Sequence, residues 1–166
     1  METKFEIVPV PTRILTHHDD IVEAIVEYGG DKIGPDDVVC VAESVVAITQ
    51  GGAKRSEDFK PGLLAKVLCR LFPSKGSISG WHSMQALIDA EGGMRVLIAV
   101  ICGFAAKCVG VSGVFYRMAG EQARLIDDVT GTMPPYDKHI VYGPHNPSKV
   151  AEEITSGTGA FGAAVA

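Results

Sequence analysis

Apolar residues recur at helical spacing in four segments of the chain, and each segment predicts a helix. The first helix follows Asp20, an acidic residue of the kind that favours a helix N-terminus, and ends at the glycine pair 29–30. The other three are predicted over residues 61–72, 81–90 and 148–154, and Ser148 is predicted to cap the last of them.

Short runs of apolar and β-branched residues predict five strands, near residues 5–10, 37–43, 123–127, 139–142 and 162–166. The run at 38–42 is the clearest, because valine dominates it and no polar residue interrupts it. Together these elements predict an α+β fold in which helices cover one mixed sheet. A chain of 166 residues has the size of one domain, so residues 1–166 are predicted to form a single domain.

Residues 94–118 form the most hydrophobic segment of the chain. Its longest uncharged run, residues 96–106, has 11 residues and ends at Lys107. A membrane-spanning helix needs about 20 predominantly apolar residues, and Lys107 would lie near the centre of such a span. The segment therefore predicts a buried helix, a hairpin or a dimer interface, and it argues against a membrane span.

The charge balance and the cysteines exclude several classes of protein. The 20 acidic and 15 basic residues give a net charge of −5 without a cluster of Lys and Arg, which argues against a nucleic-acid partner. The four cysteines show neither a CxxC motif nor a zinc-site spacing, so we expect reduced thiols. Residues 1–6 lack the order of a secretory signal, so a cytoplasmic location is expected.

Asp127 and Asp128 come at the end of the strand predicted at 123–127 and precede Thr130 and Gly131. Carboxylates at the end of a strand, beside a loop rich in hydroxyls and glycine, suit Mg²⁺ or Mn²⁺ bound together with nucleotide phosphates. The same residue types are also typical of a turn in which Asp side chains accept hydrogen bonds from backbone amides. Spacing alone leaves both interpretations open.

Glu43 and Ser44 follow the predicted strand at 37–43 and form a second polar group at a strand end. Polar side chains at the carboxyl end of a buried strand commonly face ligands. Ser44 also precedes the apolar run 45–48, where it would serve equally well as a helix N-cap.

Two further motifs are assigned structural roles. The sequence His17-His18-Asp19-Asp20 contains metal-ligating residue types, but adjacent side chains point in different directions and acids favour helix N-termini, so helix capping is expected. Residues 157–162 match GxGxxG. They follow a predicted helix and precede an apolar run, which is the reverse of the order in a dinucleotide-binding fingerprint, so a loop entering a strand is expected.

Several of these segments, taken in order, resemble the coenzyme F-420 γ-glutamyl ligase family. The resemblance is closer to the bacterial F-420-ligase-like proteins, which carry an apolar insertion similar to residues 94–118. The segments that carry it are Pro9-Val10, Asp19-Asp20-Ile21, residues 37–47 with Gln50-Gly51, Leu125-Ile126-Asp127 and Gly143-Pro144-His145-Asn146-Pro147. The resemblance implies a γ-glutamyl-ligase-like fold and an intertwined homodimer.

The resemblance also implies an activity, namely a GTP-dependent amide ligase that uses Mg²⁺ or Mn²⁺. Such an enzyme joins glutamate, or a related amine, to a small carboxylated acceptor such as a precursor of coenzyme F-420. The family's metal-binding aspartate falls on Asp127, and no residue is assigned a catalytic role. Its nucleotide-binding residues fall on Thr12, Arg13, Ile14, Leu15, Glu43, Ser44 and Thr130.

The sequence departs from the family pattern at three positions. Ile48 stands where the founding ligases carry a lysine, Gln50 where they carry a glutamate, and Leu125 where they carry a glycine. The family's second acidic cluster would follow residue 166, so the chain is expected to be the N-terminal part of a catalytic region and inactive alone. The alternative hypothesis is a non-catalytic nucleotide-binding or dimerisation module that has lost the active site.

Overall fold

Eight α-helices and four short strands are present in the computed structural model, which describes residues 6–73, 76–127 and 134–166. The helices are α1 (Ile21–Gly29), α2 (Glu43–Thr49), α3 (Leu63–Leu68), α4 (Trp81–Glu91), α5 (Gly93–Cys108), α6 (Val114–Met118), α7 (Gln122–Leu125) and α8 (Pro147–Thr158). The strands are β1 (Val38–Val41), β2 (Ala53–Arg55), β3 (His139–Val141) and β4 (Gly162–Val165).

These elements form two compact units. The first unit combines the described residues up to Gln50 with Asn146–Ala166, and the second unit is Gly51–His145. The mixture of helices and small sheets confirms the predicted α+β class.

The first unit consists of a parallel strand pair and the helices packed with it. β1 pairs with β4 in parallel, from Val38 opposite Gly162 to Val41 opposite Val165. α1 and α8 pack against each other, and α8 also packs against β4, the strand that follows it. The fully buried side chains of Val46 and Ile154 lie at the centre of this unit's core.

The second unit is mainly helical. Its core is formed by side chains of α3, α4, α5 and β3, among which Met84, Leu87, Val96 and Ile140 are fully buried. β2 and β3 pair antiparallel, with Ala53 opposite Val141 and Arg55 opposite His139.

The apolar segment at residues 94–118 folds as the helical hairpin α5–α6, which is one of the three predicted alternatives, a buried helix, a hairpin or a dimer interface. The two helices pack closely because Gly103 has no side chain; a Cβ there would lie 2.8 Å from the Cβ of Phe115. Gly110 and Gly113 have φ values of 81° and 80°, which suit glycine in the turn between the helices. None of the helices in the described residues has the length and apolar composition to cross a membrane.

Two of the five predicted strands are wrong. Residues 6–10 are not in a strand, since prolines 9 and 11 lack the N–H that a ladder requires. Residues 122–125 form the short helix α7, and only Asp127 of the segment pairs with a strand. The predicted strand at 123–127 failed because so short an apolar run fits a helix as well as a strand.

The predicted single sheet is also wrong for the described residues, whose strands form two separate two-stranded sheets. β2 escaped prediction because it contains the exposed, charged Lys54 and Arg55 in place of an apolar run. The predicted cap at Ser148 is wrong as well. α8 begins one residue earlier, at Pro147, and Asn146 occupies the N-cap position, so Ser148 lies within the first turn.

Candidate functional site

Asp127 lies beside the antiparallel sheet of the second unit. Its N–H donates to the carbonyl of Val141 over 2.9 Å, and the N–H of Val141 donates back to its carbonyl over 3.0 Å. Val141 also pairs with Ala53 of β2, so its backbone lies between Ala53 and Asp127. Val141 belongs to β3 and is only 1% exposed. The backbone of Asp127 is therefore fixed by its pairing with a buried residue of β3.

The carboxylate of Asp127 is half-buried and has no hydrogen-bond or ion-pair partner among the described residues. Burial raises the pKa of this carboxyl above its ordinary value, because the ionised form loses hydration without gaining a partner. Carboxylates whose pKa is strongly shifted by their surroundings occur preferentially at functional sites. A nearby cation would offset this cost by favouring the ionised form.

A chain of hydrogen bonds fixes α7, the helix that leads to Asp127. The carboxylate of Glu91 accepts from the backbone N–H of Gln122 at 2.9 Å and from the Arg95 guanidinium at 2.8 Å. The side-chain oxygen of Gln122 in turn accepts from the backbone N–H of Gly143 at 2.9 Å. The network therefore ties α4, α7 and the segment after β3 together around the backbone that carries Asp127.

Gly143 permits a close approach of this segment to α7. A Cβ at this position would collide with the side chain of Leu125, two residues before Asp127. Only glycine fits there without a shift of Leu125, so the glycine that opens the 143–147 motif has a local packing role. Thr130 and Asp128, the other candidates in this part of the sequence, lie outside the described residues.

The segment that contains Thr12, Arg13, Ile14 and Leu15 has no regular secondary structure and belongs to the first unit. The first three residues are exposed, whereas Leu15 is buried in the core of that unit. The Arg13 guanidinium donates to the carboxylate of Asp19, with one N–O distance of 3.0 Å. The side chains of Thr12 and Ile14 are therefore accessible to solvent, whereas the Arg13 guanidinium between them is already paired with Asp19.

Asp19 and Asp20 have the structural roles expected for the motif at residues 17–20. The hydrogen bond from Arg13, and then the one from the backbone N–H of Thr16, hold the pKa of Asp19 well below its usual value. Asp20 caps α1 by accepting from the N–H groups of Val22 and Glu23, at 2.8 and 3.0 Å.

The described residues contain no cluster of three or more His, Cys, Asp or Glu side chains suited to a metal ion.

Glu43 and Ser44 form the first turn of α2, directly after β1. Ala42 occupies the N-cap position, so the alternative that Ser44 caps the helix is wrong. The backbone N–H of Glu43 donates to the carbonyl of Ala166 at 3.1 Å, which extends the pairing of β1 with β4. Both side chains are half-buried, and their role in nucleotide binding remains a prediction.

The structure thus divides the predicted site residues between the two units. Thr12 to Leu15 belong to the first unit together with Glu43 and Ser44, and Leu15 shares its core with Val46 of α2. Asp127 belongs to the second unit. The GxGxxG residues begin in α8 and end at the start of β4, which confirms the structural interpretation of that motif.

Comparison with known protein families supplies the identity of the scaffold. The sequence matches the family described as F420-0:Gamma-glutamyl ligase over residues 9–160. The chain belongs to this family. Comparisons with curated proteins and with solved structures gave no match. Membership in the γ-glutamyl ligase family supports a ligase role in the biosynthesis of coenzyme F-420.

Sequence reasoning missed the residues that position Asp127 in this γ-glutamyl ligase family member. Glu91 and Gln122 are separated by 31 residues, so no local spacing links them. The one available signal was the polar residue Gln122 between Gly120 and the apolar run that precedes Asp127. Gly143 was noticed within its motif, but its contact with Leu125 was not foreseen.

Proposed function

We propose that this protein is a GTP- and divalent-metal-dependent amide ligase that adds L-glutamate to a carboxylated acceptor such as the coenzyme F-420 precursor. The observation that carries the proposal is the family match, which extends over residues 9–160. The half-buried carboxylate of Asp127, which has no partner among the residues that the structure describes, supports it, because such a group is suited to a cation.

The proposed reaction consists of two steps, a phosphoryl transfer followed by an acyl transfer. The acceptor carboxylate attacks the γ-phosphorus of GTP, which gives an acyl phosphate and GDP. The amine of glutamate then attacks the acyl carbon, so that the amide bond forms and inorganic phosphate leaves. The amine releases a proton as the amide forms, and splitting one GTP to GDP and phosphate accompanies each glutamate added.

Asp127 fits a magnesium or manganese ion that is shared with a nucleotide. Mg²⁺ usually keeps several waters and binds proteins through one or two carboxylates, while substrate phosphates complete its coordination. When bound, the ion would neutralise charge on the phosphates of GTP. The network from Glu91 to Gly143 holds the backbone around α7, the helix that leads to Asp127, so the backbone position of Asp127 is set before the nucleotide arrives.

The nucleotide-binding positions are proposed from the family resemblance. Thr12, Arg13, Ile14 and Leu15 precede α1, while Glu43 and Ser44 begin α2. The exposure of residues 12–14 is compatible with contact to a ligand, whereas the buried Leu15 would contribute through its backbone. Thr130 retains its proposed role on sequence grounds alone.

Calorimetric titration tests the metal assignment. The wild-type chain is expected to bind Mn²⁺ weakly without nucleotide and with a Kd of about 1 mM, or about −4 kcal/mol, in the presence of GTP. Asp127→Asn should abolish the nucleotide-dependent binding, while Asp31→Asn, an exposed aspartate of the first unit, should leave it unchanged. Equal Mn²⁺ affinities of wild type and Asp127→Asn would contradict the role of Asp127.

One observation favours the alternative, a non-catalytic module. Ile48, which replaces a lysine of the founding ligases, is buried, with 9% of its surface exposed. A buried isoleucine at this position cannot neutralise a phosphate. Binding of GTP without any amide product by the full-length gene product would favour this alternative over the ligase.

A further inference from the structure

A cleft of about 460 Å³ opens in the second unit. It is lined by residues of α6 and α7 and by residues 77–78, which precede α4. The polar residues of its lining are Ser77, Tyr116, Arg117 and Arg124, and no acidic side chain of the described residues lines it. Clefts of about 300–1,000 Å³ with a few polar groups on apolar walls are typical small-molecule sites. We refer to this one as the α6–α7 cleft.

The two arginines of the α6–α7 cleft differ from most other arginines of the chain in their surroundings. Arg13, Arg55 and Arg95 each pair with a carboxylate. The guanidinium groups of Arg117 and Arg124 take part in no ion pair or hydrogen bond among the residues that the structure describes. In a chain with a net charge of −5, two such arginines at one cleft are a local excess of positive charge that an anion can neutralise.

Hydrogen bonds fix the backbone between the two arginines. The Nε–H of Arg95 donates to the carbonyl of Met118 at 3.0 Å. The Glu91 carboxylate accepts from the N–H of Gln122 at 2.9 Å. Gly120, between α6 and α7, has a φ of 108°, and a Cβ there would collide with the Glu91 carboxylate. The turn from α6 to α7 is therefore held in place before a ligand arrives, which lowers the ordering cost of binding.

The floor of the α6–α7 cleft is apolar. Ile78, Ala123 and Ile126 line it, and all three are buried. Tyr116 forms part of the wall, and its ring meets the ring of the buried Phe115 edge-on, with 5.1 Å between the two centroids. An anion that also carries an apolar or aromatic body therefore fits the cleft better than a small inorganic ion does.

We propose that the α6–α7 cleft binds a small organic phosphate monoester, with its phosphate on Arg117 and Arg124 and its organic body on the apolar floor. A phosphate monoester carries a charge of about −1.5 to −2 at pH 7, which two guanidinium groups balance. A lone carboxylate needs only one arginine, which binds it through two parallel hydrogen bonds. The guanidinium fork matches phosphate oxygens in the same way, and the hydroxyls of Ser77 and Tyr116 are further donors at the cleft.

Two other phosphate-bearing occupants fit the α6–α7 cleft less well. A nucleic-acid backbone is bound by a longer basic stripe than two arginines provide. GTP shares the phosphate chemistry, but neither Arg117 nor Arg124 is among the positions that the family resemblance assigns to the nucleotide. The cleft is therefore proposed independently of the ligase activity.

Calorimetric titration of the chain with phenyl phosphate tests the class of ligand. Binding with a Kd of about 1 mM or lower is expected. Phenyl sulfate has the same shape but only one negative charge, and inorganic phosphate lacks the ring, so each should bind at least tenfold more weakly. No binding of phenyl phosphate at millimolar concentration, or equal affinity for either control ligand, would overturn the proposal.

Arginine variants test whether the α6–α7 cleft is the binding site. Arg117→Gln and Arg124→Gln should each raise the Kd for phenyl phosphate at least tenfold, because each removes charged hydrogen bonds to the phosphate. Arg70→Gln removes the same charge from an exposed arginine of the second unit outside the cleft and should leave the Kd unchanged. Circular dichroism should show wild-type folding for all three variants. Equal Kd values for wild type and the double variant Arg117→Gln/Arg124→Gln would overturn the proposal.

Competition with GTP distinguishes the α6–α7 cleft from a nucleotide site. In the presence of Mn²⁺, GTP should not displace phenyl phosphate, because the metal ion already neutralises part of the triphosphate charge. Unchanged affinity for phenyl phosphate would support a separate site, whether or not the protein is a ligase. Displacement by GTP would assign the two arginines to the nucleotide and would overturn a separate site.

Discussion

Replacing Glu91 by alanine tests whether the hydrogen-bond network before Asp127 stabilises the second unit. The Glu91 side chain is 11% exposed, and its carboxylate accepts from the N–H of Gln122 and from Arg95. In Glu91→Ala, neither donor retains this acceptor. The start of α7 then loses the group that holds its first N–H.

The magnitude of the effect follows from the two contacts. Leaving the part-buried N–H of Gln122 without its charged acceptor costs about 1–3 kcal/mol. The Arg95 side chain is 54% exposed, so the lost ion pair adds only about 0.3–0.5 kcal/mol. The expected fall in the free energy of unfolding is about 1.3–3.5 kcal/mol, which lowers the melting temperature by about 3–14 °C for a chain of this size.

Thermal unfolding followed by circular dichroism measures this loss, and two variants serve as controls. Glu91→Gln keeps a carbonyl acceptor for Gln122, so less than half of the loss is expected. Glu57→Ala removes an ion pair with Arg55 in which both side chains are exposed, and its effect should stay within about 0.5 kcal/mol. If Glu91→Ala melts at the same temperature as Glu57→Ala, the reasoning about the network is refuted.

Three further stability predictions concern Asp127, Gly143 and Asp20. Burial raises the pKa of Asp127 in the native state, so ionising this carboxyl lowers the free energy of unfolding at pH values above its unfolded-state pKa. The Asp127→Asn variant should therefore have a higher melting temperature than wild type at pH 7, and this difference should vanish below about pH 4. Gly143→Ala should lower the free energy of unfolding by about 1–3 kcal/mol in urea titrations, and Leu125→Ala should partly rescue it; an additive double mutant would contradict the close contact. Asp20→Ala should cost about 1 kcal/mol through the loss of its two α1 hydrogen bonds, and an unchanged urea midpoint would exclude the cap.

Local signals explain the parts of the fold that were predictable from sequence. The start of α1 was predictable because Asp20 is an acidic cap, and β1 because its valine run is short and uninterrupted. α8 and β4 were predictable from similar local patterns, whereas the apolar run that became α5 left a buried helix, a hairpin and a dimer interface open. These features depend on residues that are neighbours in the chain.

The parts that were missed depend on contacts between distant residues. The start of α7 is stabilised by Glu91, far away in sequence, whose carboxylate accepts from its first N–H. β2 forms because β3 offers a partner for its backbone, although its own side chains are charged and exposed. At the candidate site, spacing identified Asp127, but the burial that raises its pKa and the network around it required the structure.

Product formation by the full-length gene product tests the central claim, a GTP-dependent γ-glutamyl ligase, most directly. The protein is incubated with GTP, Mn²⁺, L-glutamate and the coenzyme F-420 precursor, and mass spectrometry quantifies both GDP and the glutamylated product. We predict one GDP per glutamate added, no product when GTP or Mn²⁺ is omitted, and at least a tenfold lower rate for Asp127→Asn. Glutamylated product formed without GTP, or GTP consumed at the same rate with and without the acceptor, would contradict the account.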